Sequence, residues 1–255
     1  MRNTSTHPQL EFQQSYNNHD SPRESHLQYA LIIPALNEAE SIGKVLSEVP
    51  RHRFQEILVV DNGSQDGTAA AAQAAGARVI AEPRRGYGRA CQAGLAALNG
   101  SADAVVFMDA DGSDDPADLE RLLSFFESGS WDFVMGSRVL GRSERGSLTF
   151  IQRFGNALTT RLIHWIWGVC YTDLGPLRVV SREALTRLCL RDPDFGWNVE
   201  MQSKAAMLGL RVAEIPVNYR RRRFGKSKIS GTLKGSLQAG IKIILTIVRC
   251  KMKRQ

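Results

Sequence analysis

The most informative stretch of this sequence is Ala104-Val105-Val106-Phe107-Met108-Asp109-Ala110-Asp111. A short apolar run of this kind is typical of a buried strand in a sheet that is covered on both faces. Asp109 and Asp111 stand at positions i and i+2, so an extended backbone points both carboxylates the same way. Such a pair repels unless a cation lies between the two groups or one is protonated. The stretch predicts a buried strand that ends in a candidate cation site, although acidic loop residues that only face solvent give the same pattern.

The chain around this stretch alternates short apolar strands with helices of about ten residues. Asn37, with Glu40 three residues later, is predicted to cap the first helix. The predicted strands cover residues 29–33, 57–60, 78–80, 104–108 and 133–136, and the predicted helices 37–48, 68–75, 89–98 and 116–127. The alternation predicts an α/β protein in which a mostly parallel sheet lies between two helical layers, a three-layer sandwich. Ligands bind such sheets at the carboxyl ends of the strands, so the loops there are the expected site.

The second half of the chain is less regular. A helix is predicted over residues 148–167, with an apolar stripe formed by Ile151, Phe154, Leu158, Leu162 and Trp165. Further strands are predicted over 177–180 and 212–217, and further helices over 199–208 and 233–248, the last with Leu237, Ile241, Ile244 and Val248 on one side. The chain then divides into a polar arm expected to be disordered, a folded domain and a basic amphipathic helix, over residues 1–28, 29–230 and 231–255.

Composition and charge narrow the class of protein. The 255 residues are 43% hydrophobic, enough for a core, and no apolar run reaches the roughly 18 residues of a membrane span. The four cysteines are scattered and no secretory signal is visible, which favours a reducing, cytoplasmic location. Residues 211–255 hold 13 of the 33 basic residues and one of the 26 acidic residues. This asymmetry indicates a polyanionic partner, namely nucleic acid, anionic lipid or a phosphorylated substrate, or else a solvated basic end.

Three loops carry residues suited to a nucleoside diphosphate. The loop Asp61-Asn62-Gly63-Ser64-Gln65-Asp66-Gly67-Thr68 leads into a helix, with Asp61 able to accept from a base N–H. The loop Arg84-Arg85-Gly86-Tyr87-Gly88-Arg89 combines small residues with arginines that suit a diphosphate. Neither matches a dinucleotide-binding or Walker A fingerprint. The basic segment 220–228 has few aromatic residues and no nucleic-acid-binding signature, so closure over substrate phosphates is as economical as an RNA contact.

Taken together, these motifs resemble family 2 glycosyltransferases with the GT-A fold. The matching segments are Pro34-Ala35-Leu36-Asn37-Glu38, Asp61-Asn62-Gly63-Ser64, Gly86-Tyr87-Gly88 and Asp109-Ala110-Asp111. Later segments are similar to the dolichyl-phosphate mannosyltransferase and polyprenyl-phosphate glucosyltransferase branch: Gly136-Ser137-Arg138, Thr172-Asp173-Leu174-Gly175, Trp197-Asn198-Val199-Glu200-Met201 and Arg222-Arg223-Phe224-Gly225-Lys226-Ser227-Lys228. The resemblance spans residues 30–229.

The resemblance implies a role for each matching residue. Asp111 would be the principal ligand of Mg²⁺ or Mn²⁺, with Asp109 and Ser113, and the third contact stays open between Ser113 and Asp114. Arg138 and Arg153 would hold an acceptor phosphate, and Arg222 would clamp the donor diphosphate. The nucleotide-sugar would be bound by Pro34, Asn37, Glu38, Asp61, Gly63, Ser64, Gly86, Gly88 and Asp109, and by Ser227 and Lys228 of a mobile loop.

The expected activity is a metal-dependent, inverting transfer of a hexose from a GDP-mannose or UDP-glucose type donor to a polyprenyl or dolichyl phosphate. The helices over 148–167 and 233–248 are candidates for peripheral docking on the cytoplasmic face of an anionic membrane, or else pack on the core. One alternative is a soluble transferase acting on a saccharide hydroxyl, with Asp173 or Glu200 as its base. A non-catalytic sugar-nucleotide-binding or RNA-binding protein is a further alternative, and no nucleic-acid partner is expected.

Overall fold

The computed structural model describes residues 27–222 and 233–252. Within these ranges the strands form one mixed sheet, in the order β3-β2-β1-β4-β6-β5-β7. The strands are β1 (Tyr29–Ala35), β2 (Phe54–Asp61), β3 (Arg78–Ala81), β4 (Ala104–Phe107), β5 (Phe133–Ser137), β6 (Arg178–Ser181) and β7 (Val212–Pro216). The predicted arm therefore lies outside the described residues except for its last two positions, and its disorder stays a prediction.

The first half of the chain is built from strand–helix–strand units. Strands β1 to β4 pair in parallel, and the central strands β1 and β4 are wholly buried because helices cover both faces of the sheet. The helices of this half are α1 (Ala39–Glu48), α2 (Thr68–Ala74), α3 (Tyr87–Ala96) and α4 (Asp118–Glu127). The carboxyl ends of β1, β2 and β4 consequently lie at one edge of the sheet, as the alternation of elements predicts.

Strand β6 departs from the parallel pattern, because it is antiparallel to both of its neighbours, β4 and β5. Its reversal brings the loop before β6 to the same edge as the carboxyl ends of β4 and β5. The helices of the second half are α5 (Phe150–Trp167), α6 (Arg182–Leu188), α7 (Trp197–Met207) and α8 (Leu233–Met252). Helix α6 is absent from the sequence prediction, although Ser181 caps it by accepting from the backbone N–H of Ala184.

The apolar stripe predicted on α5 faces away from the core. Phe154 is 62% exposed and Trp165 is 76% exposed, while the buried residues of the helix are Thr159, Thr160 and Ile163. Of the five stripe residues only Leu162 packs against the core, so core packing does not explain the other four. Phe150, at the start of the helix and 82% exposed, extends the same apolar surface.

Helix α8 packs against α5 and α7 with a different face from the predicted one. Among its described side chains, Thr246, Ile247 and Cys250 are buried, whereas Ile244 and Val248 are exposed. Lys242 attaches the helix to the loop before α7 by two ion pairs: its Nζ lies 3.5 Å from Asp192 Oδ1 and 3.3 Å from Asp194 Oδ2. The helix is thus attached to the domain on one side and keeps an apolar strip on the other.

Candidate active site

The end of β1 and the loop after β2 are joined by side-chain hydrogen bonds. Asn37 has a φ of 52°, and its backbone N–H donates to Ser64 Oγ at 2.9 Å while its Oδ1 accepts from Gln65 N at 2.8 Å. Asn37 therefore holds the loop and does not cap α1, whose N-cap residue is Glu38 and makes no side-chain capping hydrogen bond. The prediction that Asn37 caps the first helix was therefore wrong. A non-glycine residue at positive φ is uncommon and is maintained here by the contacts around it.

The loop after β2 is a tight turn beside this junction. Asp61 Oδ1 accepts from Ser64 N at 2.9 Å, and Gly63 has a φ of 77°. A Cβ at Gly63 would lie 3.2 Å from the carbonyl oxygen of Pro83, so the turn favours glycine on two counts. The structure thus brings together Asn37, Asp61, Gly63 and Ser64, with the buried Pro34 within β1. Their contact with a nucleotide stays a prediction.

The acidic segment after β4 forms a compact turn. Asp111 Oδ1 accepts from Ser113 N at 2.8 Å, and Asp114 Oδ2 accepts from Asp109 N at 3.1 Å. Gly112 supplies the positive φ of 72° that this turn requires. Three carboxylates, those of Asp109, Asp111 and Asp114, are thereby held close to one another at the edge of the sheet.

This crowding is visible in the acidity of the carboxyl groups. Burial, and next the neighbouring Asp111 carboxylate, raise the pKa of Asp109 to about 7. Burial and then the charge of Asp109 raise the pKa of Asp114 well above its usual value. Oδ1 of Asp114 is buried and has no hydrogen-bond partner among the described residues. Excess negative charge and an unpartnered carboxylate oxygen are the features that a bound cation would relieve.

The donor set fits a divalent cation that completes its shell elsewhere. Across residues 27–222 and 233–252, no group of three or more histidine, cysteine, aspartate or glutamate side chains is placed to hold a metal ion. Mg²⁺ and Mn²⁺ commonly take one or two carboxylates and fill the remaining positions with water and substrate phosphate. Asp111 and Asp109 suit that arrangement. Asp114 Oδ1 and Ser113 Oγ both lack a described hydrogen-bond partner, so the third contact stays open between these two residues.

Arg222 enters the same cluster from the start of the basic segment. Its Nη1 lies 3.0 Å from Glu38 Oε1, and its Nη2 forms an ion pair with Asp111. Arg220 anchors the segment two residues earlier, with Nη1 2.8 Å from Glu48 and Nη2 2.6 Å from Asp115. These ion pairs place the guanidinium of Arg222 beside Asp111, the principal metal-ligand candidate.

Arg138, just after β5, is held by a buried carboxylate. Its Nε and Nη2 lie 2.7 and 2.8 Å from the two oxygens of Asp173, and its backbone N–H donates to Asp173 Oδ2 at 2.8 Å. The guanidinium also lies 4.9 Å from the ring centre of Tyr219. Burial alone would raise the pKa of Asp173, but the hydrogen bonds and charge of Arg138 bring it below its usual value. Arg138 is therefore a fixed cation, and it lies near enough to Asp109 to lower that residue's pKa.

Both carboxylates considered as a general base are engaged in ion pairs. Asp173 is fully buried against Arg138. Glu200 lies 2.7 Å from Lys204 Nζ and accepts from the backbone N–H groups of Arg191 and Asp192. A carboxylate in such a bond network is poorly placed to take a proton from a substrate hydroxyl.

The glycines of the loop before α3 have a packing role. A Cβ at Gly86 would lie 2.2 Å from Pro193 O, and one at Gly88 would lie 2.0 Å from Asp192 O. Arg89 N also donates to Pro193 O at 3.0 Å, so the first turn of α3 is covered by the loop at 192–194. The close approach that the sequence suggested for a ligand is made here by protein backbone, and diphosphate binding by Gly86 and Gly88 stays a prediction.

Three predicted residues lie away from the cluster or outside the described ranges. Arg153 is exposed on α5 and has no described side-chain contact with the other site residues. Ser227 and Lys228 lie outside the described residues. Sequence reasoning missed the partner of Arg138 and the support provided by Tyr219. The motif Thr172-Asp173-Leu174-Gly175 was the available signal, since it marked Asp173 but not its function.

Fold and site together define a glycosyltransferase of the GT-A class. The chain belongs to glycosyl transferase family 2, whose family model matches residues 30–189. This confirms the family, the fold and the enzyme class expected from the motifs.

Individual relatives and a solved structure agree with this assignment. The chain is 40% identical, over 82% of its length and 93% of the relative, to an uncharacterized glycosyltransferase of Mycobacterium tuberculosis. It is 32% identical to the undecaprenyl-phosphate mannosyltransferase of Micrococcus luteus, over 80% of this chain and 88% of that one. Glucosyl-3-phosphoglycerate synthase from Mycobacterium tuberculosis, crystallised with Mn²⁺ and UDP-glucose, superposes with a TM-score of 0.71 at 25% identity, over 88% of this chain and 79% of that one.

Proposed function

We propose that this protein transfers a hexose from a nucleotide-sugar to a polyprenyl phosphate, with inversion at the anomeric carbon and with Mg²⁺ or Mn²⁺ as cofactor. The observation that carries the proposal is the fixed guanidinium of Arg138, held by Asp173 beside the carboxylates Asp109 and Asp111. A cation in that position suits an anionic acceptor. The similarity to the undecaprenyl-phosphate mannosyltransferase and to polyprenol monophosphomannose synthase of Mycolicibacterium smegmatis, 30% identical, supports the same acceptor class.

A phosphate acceptor removes the need for a general base. The second pKa of a phosphate monoester is near 6, so its oxygen is already anionic at neutral pH. The enzyme then has to position two anions and stabilise the leaving group. Asp173 and Glu200 are both engaged, which weighs against the alternative of a saccharide hydroxyl acceptor activated by either.

On the donor side, Asp111, Asp109 and the third candidates Asp114 and Ser113 would hold the cation, which when bound neutralises the diphosphate. Arg222, already at Asp111, would exchange that contact for the leaving diphosphate. Glu38 and Asn37 line the adjoining side of the site and would orient the nucleotide. Transfer from the face opposite the leaving group accounts for the proposed inversion.

A long-chain lipid acceptor requires contact with a bilayer, and two helices offer one. Phe150, Phe154 and Trp165 are exposed on α5, and Ile244, Leu245, Val248 and Met252 are exposed on α8, which packs beside it. Basic side chains accompany both strips: Arg153 and Arg161 on α5, and Arg249 and Lys251 on α8. In the described part of the chain no helix is long and apolar enough to cross a membrane. Apolar strips flanked by cations suit peripheral docking on anionic lipid.

The activity is tested with labelled GDP-mannose, UDP-glucose and other UDP-sugars, each with polyprenyl phosphate and Mg²⁺ or Mn²⁺. We expect label in an organic-soluble product that is labile to mild acid. Unphosphorylated polyprenol, a small saccharide and phosphoglyceric acid serve as matched acceptors. Label that enters only a saccharide or the small phosphorylated acceptor would refute the lipid-phosphate proposal.

Membrane docking is tested by flotation with vesicles that contain anionic lipid. We expect the protein to float at low salt and the F150S/F154S variant to float several-fold less, because each exposed ring contributes apolar area to the interface. L208S, at an exposed leucine outside both helices, is the control. Equal flotation of the three proteins, or none by the wild type, argues against docking through α5.

A further inference from the structure

The turn at residues 172–175, which carries Asp173, is fastened from several sides. Glu214 of β7 accepts from the backbone N–H of Thr172 at 2.9 Å and of Asp173 at 3.1 Å. Gln202 of α7 donates to Asp173 O at 2.9 Å. At Gly175 a Cβ would lie 2.4 Å from Gly136 O, so the turn also lies directly against the end of β5. The turn that carries Asp173, the carboxylate paired with Arg138, is therefore held in place by hydrogen bonds and close packing.

Asn156 is the connection between this turn and α5. Its Nδ2 donates to Thr172 O at 3.0 Å, and its Oδ1 accepts from Leu174 N at 2.8 Å. The side chain is half-buried, and both of its hydrogen-bonding groups are used on backbone atoms that flank Asp173. An amide that bonds the residues on both sides of Asp173 fixes the position of the helix relative to the turn.

Arg153 lies three residues before Asn156, so the two side chains project from the same side of α5. The turn that Asn156 holds carries the partner of Arg138. One amide thus lies between the elements that bear the two arginines assigned to the acceptor phosphate.

We propose that Asn156 is a positioning residue for the acceptor: its amide ties α5, which carries Arg153, to the turn whose Asp173 orients Arg138. The inference rests on the proposed function and adds to it the role that the family resemblance implies for Arg153, namely that it binds the same acceptor phosphate as Arg138. Asn156 does not touch the substrate; it sets the spacing of the two cations. A phosphate that both cations must reach is sensitive to that spacing, whereas donor binding is not.

The test compares N156A with N99A. Asn99 is a matched control because it also makes two side-chain hydrogen bonds, to Arg78 and Glu56, on another loop. We expect N156A to raise the KM for polyprenyl phosphate at least about fivefold, as loss of two hydrogen bonds would, while the KM for the donor changes less than about twofold. N99A is expected to leave both values unchanged. Should N156A fail to fold, N156D takes its place: it keeps the acceptor for Leu174 N, loses the donor to Thr172 O and adds a negative charge, for which N99D is the control.

A double-mutant cycle with R153A separates alignment from general damage. If Asn156 acts by aligning the arginines, the effect of N156A on the acceptor KM shrinks below about twofold once Arg153 is gone. An effect of equal size in both backgrounds, or one no larger than that of N99A, would overturn the inference. The single variants R138A and R153A test the proposed function itself. If neither variant changes the acceptor KM, or if the wild type does not use a lipid phosphate, the proposed function fails and the inference fails with it.

Discussion

Two arginines reach the candidate site and are held in opposite ways. Arg138 is paired with Asp173, a buried carboxylate whose hydrogen bonds go to Arg138 and the adjoining backbone. Arg222 is paired with Asp111 and Glu38, which belong to the donor side of the site. The first pair is buried within the protein, whereas the proposed function makes the second exchangeable: a bound cation would compete with the guanidinium for Asp111, and a diphosphate would compete with Asp111 for the guanidinium. An acceptor site that is built in advance and a donor site that is rearranged on binding are the expected functional counterparts.

Breaking the buried pair is expected to have the largest effect. D173N leaves the buried charge of Arg138 without its counter-ion, and removal of one partner of a buried pair typically costs about 3–5 kcal/mol of stability. Denaturant unfolding measures this cost. The control E120Q removes a carboxylate from the partly exposed pair with Arg53, where about 1 kcal/mol or less is expected. A loss in D173N no larger than in E120Q would mean that Arg138 is not fixed by this pair.

Removing the carboxylate of Asp111, which pairs with Arg222 and is the principal metal-ligand candidate, is expected to affect turnover more than folding. D111A should lower turnover by roughly 10²–10³-fold, the size of effect seen when a stabilising group is deleted from the reacting centre. Direct Mn²⁺ binding should weaken in parallel, since Asp111 is the principal ligand candidate. D103N, at an exposed carboxylate on the opposite edge of the sheet, is the control for activity. Retention of near-normal turnover with added metal would refute the metal assignment.

The exchangeable arginine should behave differently from Arg138 when it is replaced. R222Q is expected to lower turnover by about 10-fold or more, the strength of a charge-assisted contact, and to cost less stability than D173N because Arg222 is more exposed than Arg138. Mn²⁺ alone should bind R222Q at least as tightly as the wild type, because a competing cation has been removed from Asp111. Weaker metal binding in R222Q would contradict the competition.

The smallest expected difference between the Arg138–Asp173 pair and the Arg222–Asp111 pair is in how the free energy of unfolding depends on pH in acid. The pKa of Asp173 is lowered in the folded state by Arg138, so its contribution is present above the unfolded value of about 3.9 and is lost as the pH falls through the folded-state pKa. Stability of the wild type should therefore fall with acidity below about pH 4 more steeply than that of D173N. R222Q should follow the wild-type slope, and a common slope for all three proteins would contradict the assignment.

The sequence predicts most of the sheet, because the apolar strands depend on local pattern, whereas metal binding at Asp109 and Asp111 stays a prediction. The apolar run before Asp109 specifies a buried strand, but β4 ends at Phe107 and a turn, not an extended backbone, brings Asp109 and Asp111 together. The direction of β6 is not predictable in this way, since an apolar run reads the same whether its neighbours are parallel or antiparallel.

Other features depend on contacts distant in sequence. Asn37 matches a capping pattern, yet its side chain bonds Gln65 in a loop 28 residues away. The periodicity of α5 identifies an apolar stripe but does not say whether the protein core or a lipid surface covers it. In the structure Phe154 and Trp165 are exposed. Asn156 gives no signal of its own, because its importance arises from a turn that packs beside it only after folding.

Gly88 has a consequence for how variation in related sequences is interpreted. Any side chain there would displace the backbone at Asp192, and Asp192 in turn contacts Lys242 and Thr246 of the last helix. A substitution more than a hundred residues earlier in the chain would thus loosen the attachment of α8. An invariant glycine at this position in homologues would reflect the close approach of the backbones at Gly88 and Asp192, and it would not by itself be evidence of a ligand.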